Sequence, residues 1–183
     1  TTLFRSVGLH TNWLRFVSKQ LMIPDQHTGV AARLTANPLV AESAEAHARE
    51  HSLEVQLPFL QVVAPEIPVV PLLTGDVEPI GAADAIEPIL DDETLLLVSS
   101  DLSHYHNSDT ARRLDAETAV SIERLDPDAL SRESACGRTG IQAALHVARR
   151  SGYRVRLLDL RNSSDTAGPP DRVVGYGTFA IGR

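Results

Sequence analysis

The sequence predicts an α/β fold, with a mixed, largely parallel central sheet and helices on both of its faces. Apolar runs of strand length alternate with amphipathic stretches of helical spacing along most of the chain, and this alternation is typical of α/β domains. The run from Leu95 to Val98, here called the organising strand, contains no polar residue, as expected of a strand buried on both faces of a parallel sheet. Because the chain has 183 residues and no low-complexity linker, it is predicted to form a single domain over 1–183.

The first half of the chain is predicted to consist mainly of helices, with apolar strands between them. Residues 1–23 are predicted to contain a strand and a half-helical stretch, and a helix is predicted between the break at Pro24 and Asn37. A short helix or exposed loop is predicted over 42–49, followed by a helix from Ser52 that Pro58 kinks or divides. A strand over 67–73 and a helix over 79–90 complete this half.

The second half has clearer boundaries. The helix after the organising strand is predicted over 108–125, with N-caps available at Asn107, Ser108 and Asp109. The other predicted elements are a helix over 141–150 that Gly152 ends, a strand over 153–160, a polar loop over 161–171 and a closing strand over 173–181. The inner stripe of the first helix is predicted to contain Ala111, Leu114, Thr118, Ile122 and Leu125.

Polar side chains follow the organising strand directly, and they include Asp101, His104 and His106. Ligands of open α/β sheets gather beyond the carboxyl ends of the strands, so Asp101 and His104 lie where a site is expected. The alternative is a strand, a loop and a capped helix with two incidental histidines, because loops carry solvated residues as well as sites. The residues alone leave both interpretations open.

The composition narrows the classes of function. The formal net charge is −7 and the isoelectric point is about 5.4, which argues against a general binder of nucleic acid or anionic membranes, since such proteins present a basic face. The single cysteine excludes an intrachain disulfide. The sequence contains no apolar stretch long enough to cross a bilayer, and its start lacks the apolar core of a signal peptide. The expected location is therefore the cytoplasm, without nucleic-acid or membrane partners.

Cys136 is the only thiol, and it lies between a polar loop and the start of a helix. A helix N-terminus and Arg138 would favour its thiolate, whereas a small buried hydrophobe is the plainer interpretation. Two histidines and a carboxylate form the facial triad of non-haem iron, and an added thiolate favours copper or zinc. The spacing of His47 and His51 also permits a metal pair, but the glutamate of a zinc-protease helix is absent between them.

Four motifs, in order, resemble those of the Memo family, which in bacteria and archaea is the AmmeMemoRadiSam system protein B group. The motifs are EHSLEVQLPF from Glu50, VSSDLSHY from Val98, ACGR from Ala135 and VGYG from Val174. The likeness extends from about Ala46 to Ile181. The resemblance implies a fold similar to that of class III extradiol dioxygenases.

The resemblance also implies a cleft that can hold iron, copper or zinc. It implies Cys136 as a metal ligand, and it places Asp101, His104 and His51 along the same cleft as candidate catalytic residues. His104 matches the position of the dioxygenase catalytic base, while His106 is expected to point away from the site.

The start of the chain departs from the family pattern. The family has two further metal-binding histidines, in a Pro-His-Ala-Gly and a Gly-Pro-Ser-His motif, and residues 1–45 contain neither motif. His10 and His27 lie outside such motifs. The chain is therefore expected to lack the first βα portion of the domain and, with an open sheet edge, to associate into oligomers.

Two hypotheses follow from these observations. The first is a metal-dependent, dioxygenase-like oxidoreductase in which Cys136 is a ligand and His104 is the acid or base. The alternative is a non-enzymatic metal- or peptide-binding module with a signalling or accessory role. The expected partners are a small molecule or peptide in the cleft, a protein of a radical-SAM system and a second copy of the chain.

Overall fold

The computed structural model describes residues 2–4, 28–48, 50–65 and 67–183. Its helices are α1 (Thr28–Thr35), α2 (Ala44–His47), α3 (Leu57–Val63), α4 (Pro79–Ile86), α5 (Ser108–Glu123) and α6 (Arg138–Arg150). Its strands are β1 (Thr2–Phe4), β2 (Leu97–Val98), β3 (His104–His106), β4 (Arg154–Asn162) and β5 (Val173–Gly182). The rest of the predictions for 1–23 lies outside the described residues, as do His10 and His27.

The two long helices confirm the predicted ones. The side chain of Asn107 caps α5 by accepting a hydrogen bond from the Thr110 N–H at 2.9 Å. Helix α6 is followed by Gly152, whose φ of 64° lies in the left-handed region that favours glycine. The inner face of α5 differs from the prediction, because Asp115 and Ala119 are buried, Leu114 is only partly buried and Leu125 lies beyond the end of the helix.

Strand β5 is the centre of the sheet. β4 runs antiparallel along one edge of β5, from Arg154 opposite Gly182 to Asn162 opposite Gly175. β1 and β3 lie along the other edge, the first parallel and the second antiparallel to β5, and β2 pairs antiparallel with β1. The sheet therefore brings β3, which follows the organising strand, directly beside the closing strand.

These pairings correct the prediction of a largely parallel sheet. Among the described strands only the β1–β5 pair is parallel. The reason is the connection between β4 and β5: a short polar loop joins them, and a parallel crossover would need a dozen or more residues, usually with a helix. Mixed helix and sheet are confirmed.

Helices on both faces of the sheet are also not found among the described residues. The residues of β5 that face the core, including Phe179 and Ile181, share one buried cluster with α5 and α6. The intervening residues Tyr176 and Thr178 are exposed, as are Arg154 and Arg156 on β4. The described helices that pack on β5 therefore cover one face.

Three predictions for shorter elements need correction. Residues 67–73 form no strand, because Pro68 and Pro71 lack the N–H donors that a ladder requires. The strand predicted from Leu95 is limited to Leu97–Val98. The helix predicted from Ser52 begins at Leu57, which leaves Pro58 in the first turn, where a missing N–H costs nothing.

Candidate functional site

Three side chains from two separate parts of the chain lie together beside the sheet. Asp101 lies in the loop after β2, His104 begins β3 and Cys136 lies just before α6. One carboxylate oxygen, one imidazole nitrogen and the Sγ atom of these residues lie within 4.8 Å of one another. The His104 Nε2 and Asp101 Oδ2 atoms are 3.4 Å apart. The structure thus brings together three of the four residues that the sequence analysis selected.

Hydrogen bonds fix the Cys136 segment against the Asp101 segment. The Asp101 N–H donates to Cys136 Sγ at 3.2 Å, and the Cys136 N–H donates to the Asp101 carbonyl oxygen at 3.2 Å. These contacts hold the sulfur beside the Asp101 backbone, and a cysteine binds metal ions as its thiolate. The thiol is exposed, so the site is open to solvent on the side of Cys136.

Gly137 permits the close approach of these two segments. Its N–H donates to Ser100 Oγ at 2.8 Å, and Ser100 Oγ in turn donates to the Asp101 carbonyl oxygen at 2.7 Å. A Cβ at position 137 would lie 2.8 Å from the Ser100 Cβ and 3.0 Å from the Ser99 carbonyl oxygen, which is closer than side chains tolerate. The Cys-Gly pair therefore has a geometric reason: a larger residue after Cys136 would push the thiol away from Asp101.

An irregular β3 separates His104 from His106. In a regular strand these residues would share a face. The register with β5 shifts between them, and Tyr105 has a φ of 63°, in the left-handed region. His104 belongs to the group of three, and His106 does not. Backbone in such a conformation is maintained only where the surroundings impose it, and it is common at functional sites.

An aromatic and cationic pair stands beside His104. The Tyr105 ring centroid is 5.7 Å from that of His104, and the guanidinium carbon of Arg172 lies 4.4 Å from the Tyr105 centroid. Both Tyr105 and Arg172 are exposed. A guanidinium stacked on a ring in this way gains a cation–π attraction and keeps its N–H edge available.

Tyr176, which was not selected from the sequence, is within electrostatic reach of Asp101. It lies on the exposed side of β5, and partial burial, together with the negative charge of Asp101, raises the pKa of its phenol above the ordinary value of 10.0. A phenol that remains protonated can donate a hydrogen bond. The signal was present in the sequence, since Tyr176 is the third residue of the VGYG motif.

His51, the fourth selected residue, is not part of the group. Its side chain is 84% exposed, and its Nδ1 atom lies 3.7 Å from Glu50 Oε1. The neighbouring backbone is nevertheless attached to the site, because Ser99 Oγ donates to the Ser52 carbonyl oxygen at 2.8 Å and the Gln56 amide donates to Ser99 Oγ at 3.0 Å. The EHS motif thus reaches the site loop through Ser52 rather than through its histidine.

The three side chains fit the requirements of a transition-metal ion. Nitrogen, oxygen and thiolate donors suit zinc or copper, and three protein ligands leave a coordination position open. Two ligand atoms at about 2.1 Å from a tetrahedral ion lie about 3.4 Å from each other. The observed distance between His104 Nε2 and Asp101 Oδ2 has this value.

Comparison with known proteins gives one consistent family. The family model described as Memo-like protein matches residues 26–180, so the match begins ahead of Ala46, where the motif resemblance starts. MEMO1 family proteins from three organisms are similar to the chain. The protein of Thermoplasma volcanium is 35% identical over 153 residues, which is 79% of this chain and 57% of that protein. The protein of Thermotoga maritima is 34% identical over 165 residues, 84% of this chain and 58% of the relative.

The third relative, from Aeropyrum pernix, is 36% identical over 157 residues, which is 78% of this chain and 56% of that protein. The chain therefore spans little more than half the length of the curated relatives that it matches. In the part of the chain that the structure describes, none of the helices has both the length and the apolar character needed to span a membrane.

Proposed function

The chain belongs to the Memo-like protein family, and from this premise we propose that it binds a transition-metal ion through Asp101, His104 and Cys136. The observation that carries the proposal is the convergence of one ligand atom from each residue within 4.8 Å. The thiolate favours zinc or copper over magnesium or calcium, which prefer oxygen ligands. When bound, such an ion supplies Lewis acidity or redox chemistry at its open position.

We further propose that the site serves a metal-dependent oxidoreductase with a small-molecule substrate. Burial and the negative charge of Asp101 raise the pKa of the Tyr176 phenol, so this side chain stays protonated and can donate a hydrogen bond to a substrate near the Asp101 carboxylate. A class III extradiol dioxygenase-like fold belongs to this proposal, on the strength of the motifs VSSDLSHY and ACGR.

A metal- or peptide-binding accessory module is the second candidate. The observation that favours it is the exposed pair of Tyr105 and Arg172 beside His104, since tyrosine and arginine are the residue types that dominate binding surfaces. Cys136 is exposed as well, which suits a site that faces a partner.

Calorimetric titration of zinc and of copper into the purified chain tests the metal proposal. Wild type is expected to bind one ion, and Cys136→Ser, His104→Ala and Asp101→Asn are each expected to weaken binding. His106→Ala is the matched control, because His106 is two residues from His104 and outside the group. A wild-type chain that binds neither metal, or equal weakening in the His106 control, would reject this site.

Chelation separates the two candidate functions. A metal-dependent enzyme loses turnover when the ion is removed and regains it on reloading. A peptide-binding module that does not use the ion retains its partner after chelation, and it loses the partner when Tyr105 and Arg172 are replaced by alanine.

A further inference from the structure

A buried carboxylate lies under the site and has no role in the ligand set. Asp115, on the inner face of α5, is only 2% exposed. Its Oδ1 atom accepts a hydrogen bond from the Ser103 N–H at 2.9 Å. Charged side chains are almost never buried unless they are paired, so this position needs an explanation beyond the packing of a helix on a sheet.

The residue that Asp115 holds lies directly between two of the proposed ligands. Ser103 lies two positions after Asp101 and one before His104. The backbone of residues 102 and 103 is also hydrogen-bonded to β5. The Leu102 N–H donates to the Gly175 carbonyl oxygen at 2.9 Å, and the Gly175 N–H donates to the Ser103 carbonyl oxygen at 2.8 Å. Residues 102 and 103 are thus held from β5 on one side and from α5 on the other.

Gly175 shows how closely these elements fit together. A Cβ at this position would overlap the Asp115 carboxylate, closer than any real contact of a Cβ atom. Glycine at 175 therefore makes room for Asp115 to reach the Ser103 N–H. This close approach explains the first glycine of the VGYG motif in physical terms.

We infer that Asp115 is a positioning residue: by holding the Ser103 backbone, its carboxylate fixes the separation of Asp101 and His104 and thereby sets the affinity of the site for a metal ion. The inference rests on the proposed metal site, and it concerns the residue that supports the ligands rather than a ligand itself. Asp115 acts through the backbone and does not touch the ion.

Stability alone does not account for an aspartate here. The other buried residues of α5 are alanine, threonine and isoleucine. A small apolar residue at 115 would avoid the cost of removing a carboxylate from water, and burial accordingly raises the pKa of Asp115. The aspartate provides a hydrogen-bond acceptor for the Ser103 N–H, in the loop that carries two of the proposed ligands.

Zinc affinity of three variants tests the inference. Asp115→Asn keeps the shape and the Oδ1 acceptor, and Asp115→Ala removes the acceptor. Ile122→Ala removes a fully buried side chain from the same helix but no hydrogen bond to the loop over 101–104, so it controls for loss of packing alone. We expect Asp115→Ala to weaken zinc binding about 10- to 100-fold, as loss of an outer-shell partner typically does. Asp115→Asn and Ile122→Ala should bind zinc as wild type does.

A second readout needs no metal. Cys136 is the only thiol of the chain, so its rate of alkylation by iodoacetamide reports on this site alone. The Asp101 N–H donates to its sulfur at 3.2 Å, so displacement of the loop removes this contact and changes the surroundings of the thiol. The alkylation rate should therefore change in Asp115→Ala and keep its wild-type value in Asp115→Asn and Ile122→Ala.

If Asp115→Ala does not fold, the variant Gly175→Ala is used for the same measurements. Its added methyl group displaces the carboxylate, so zinc affinity should fall and the alkylation rate should change as in Asp115→Ala. In the double variant Asp115→Ala/Gly175→Ala the methyl group occupies the space that the carboxylate has left, so both effects should be no larger than those of Asp115→Ala alone.

The possible outcomes separate the inference from the metal proposal. A wild-type chain that binds no zinc rejects the metal site, and the alkylation rates then decide whether Asp115 positions the loop. Wild-type zinc affinity and alkylation rate in Asp115→Ala and Gly175→Ala overturn the inference, as does equal weakening in Asp115→Ala and Ile122→Ala.

Discussion

Asp101 and Cys136 exchange two hydrogen bonds, N–H to Sγ and N–H to carbonyl oxygen, each 3.2 Å long, although 35 residues separate them in sequence. This exchange joins the loop after β2 to the start of α6. Because one bond ends on the sulfur itself, any change that separates the two segments also changes the environment of the thiol. Backbone packing at this junction should therefore affect metal affinity.

Gly137→Ala should weaken both the fold and the site. The added Cβ would lie 2.8 Å from the Ser100 Cβ, and we expect a loss of about 1–3 kcal/mol in the free energy of unfolding, as for other overpacked positions. Urea denaturation and zinc titration measure the two effects.

Gly75→Ala is the control for that experiment, because a Cβ at Gly75 meets no atom within 4 Å. It should leave the unfolding free energy unchanged or slightly raise it, since alanine restricts the unfolded chain. Equal stability of the two variants would show that the close approach at Gly137 is not needed.

Asp101→Asn should lower the pKa of Tyr176. Burial is the larger cause of the raised pKa and the charge of Asp101 the second, so the value should fall toward the ordinary one without reaching it. The phenolate absorbance during a pH titration, corrected with Tyr176→Phe, measures the change. Asp109→Asn, which removes an exposed charge from α5, should leave the midpoint where it is in wild type; an unmoved midpoint in Asp101→Asn would contradict the assignment.

Asp115 should make wild-type stability depend on pH. Its folded-state pKa is raised by burial above the ordinary 3.8, so the folded chain binds the proton more tightly than the unfolded chain does. The stabilisation is complete below 3.8 and is lost as the pH rises through the raised pKa.

Asp115→Asn cannot titrate at this position. Relative to wild type, its unfolding free energy should therefore increase as the pH is raised from about 4 to about 7. Urea denaturation across this interval measures the difference. A difference that is independent of pH, or that decreases, would mean that burial does not raise the pKa of Asp115.

The helices and the long strands could be predicted because their signals are local. Asn107 caps α5, Gly152 follows α6, and the alternation of β4 and β5 identifies them as strands. The short loop between β4 and β5 accounts for the antiparallel direction of that pair. The directions of β1 and β3 were not predictable in the same way, since they depend on contacts between β5 and distant segments of the chain. The prediction of a strand over 67–73 was wrong because it gave more weight to the apolar residues than to Pro68 and Pro71, which lack N–H donors.

The site was partly predictable for the same reason. Asp101 and His104 are close in sequence, and their joint position follows from the end of a strand. That Cys136 joins them, and that His51 does not, depends on contacts such as those of Gly137 and Ser99 that no spacing reveals. Asp115 is a further case, because a polar residue on an otherwise apolar helix face has meaning only once Ser103 is seen beside it.

The cobalt(II) spectrum of the chain is a direct test of Cys136 as a metal ligand. Cobalt(II) accepts the same ligands as zinc, and a thiolate ligand produces an intense sulfur-to-metal charge-transfer band in the near ultraviolet. We predict this band in wild type and in His106→Ala, and its loss in Cys136→Ser. A band of wild-type intensity in Cys136→Ser, or equal loss in Cys136→Ser and His106→Ala, would contradict the role of Cys136 as a ligand.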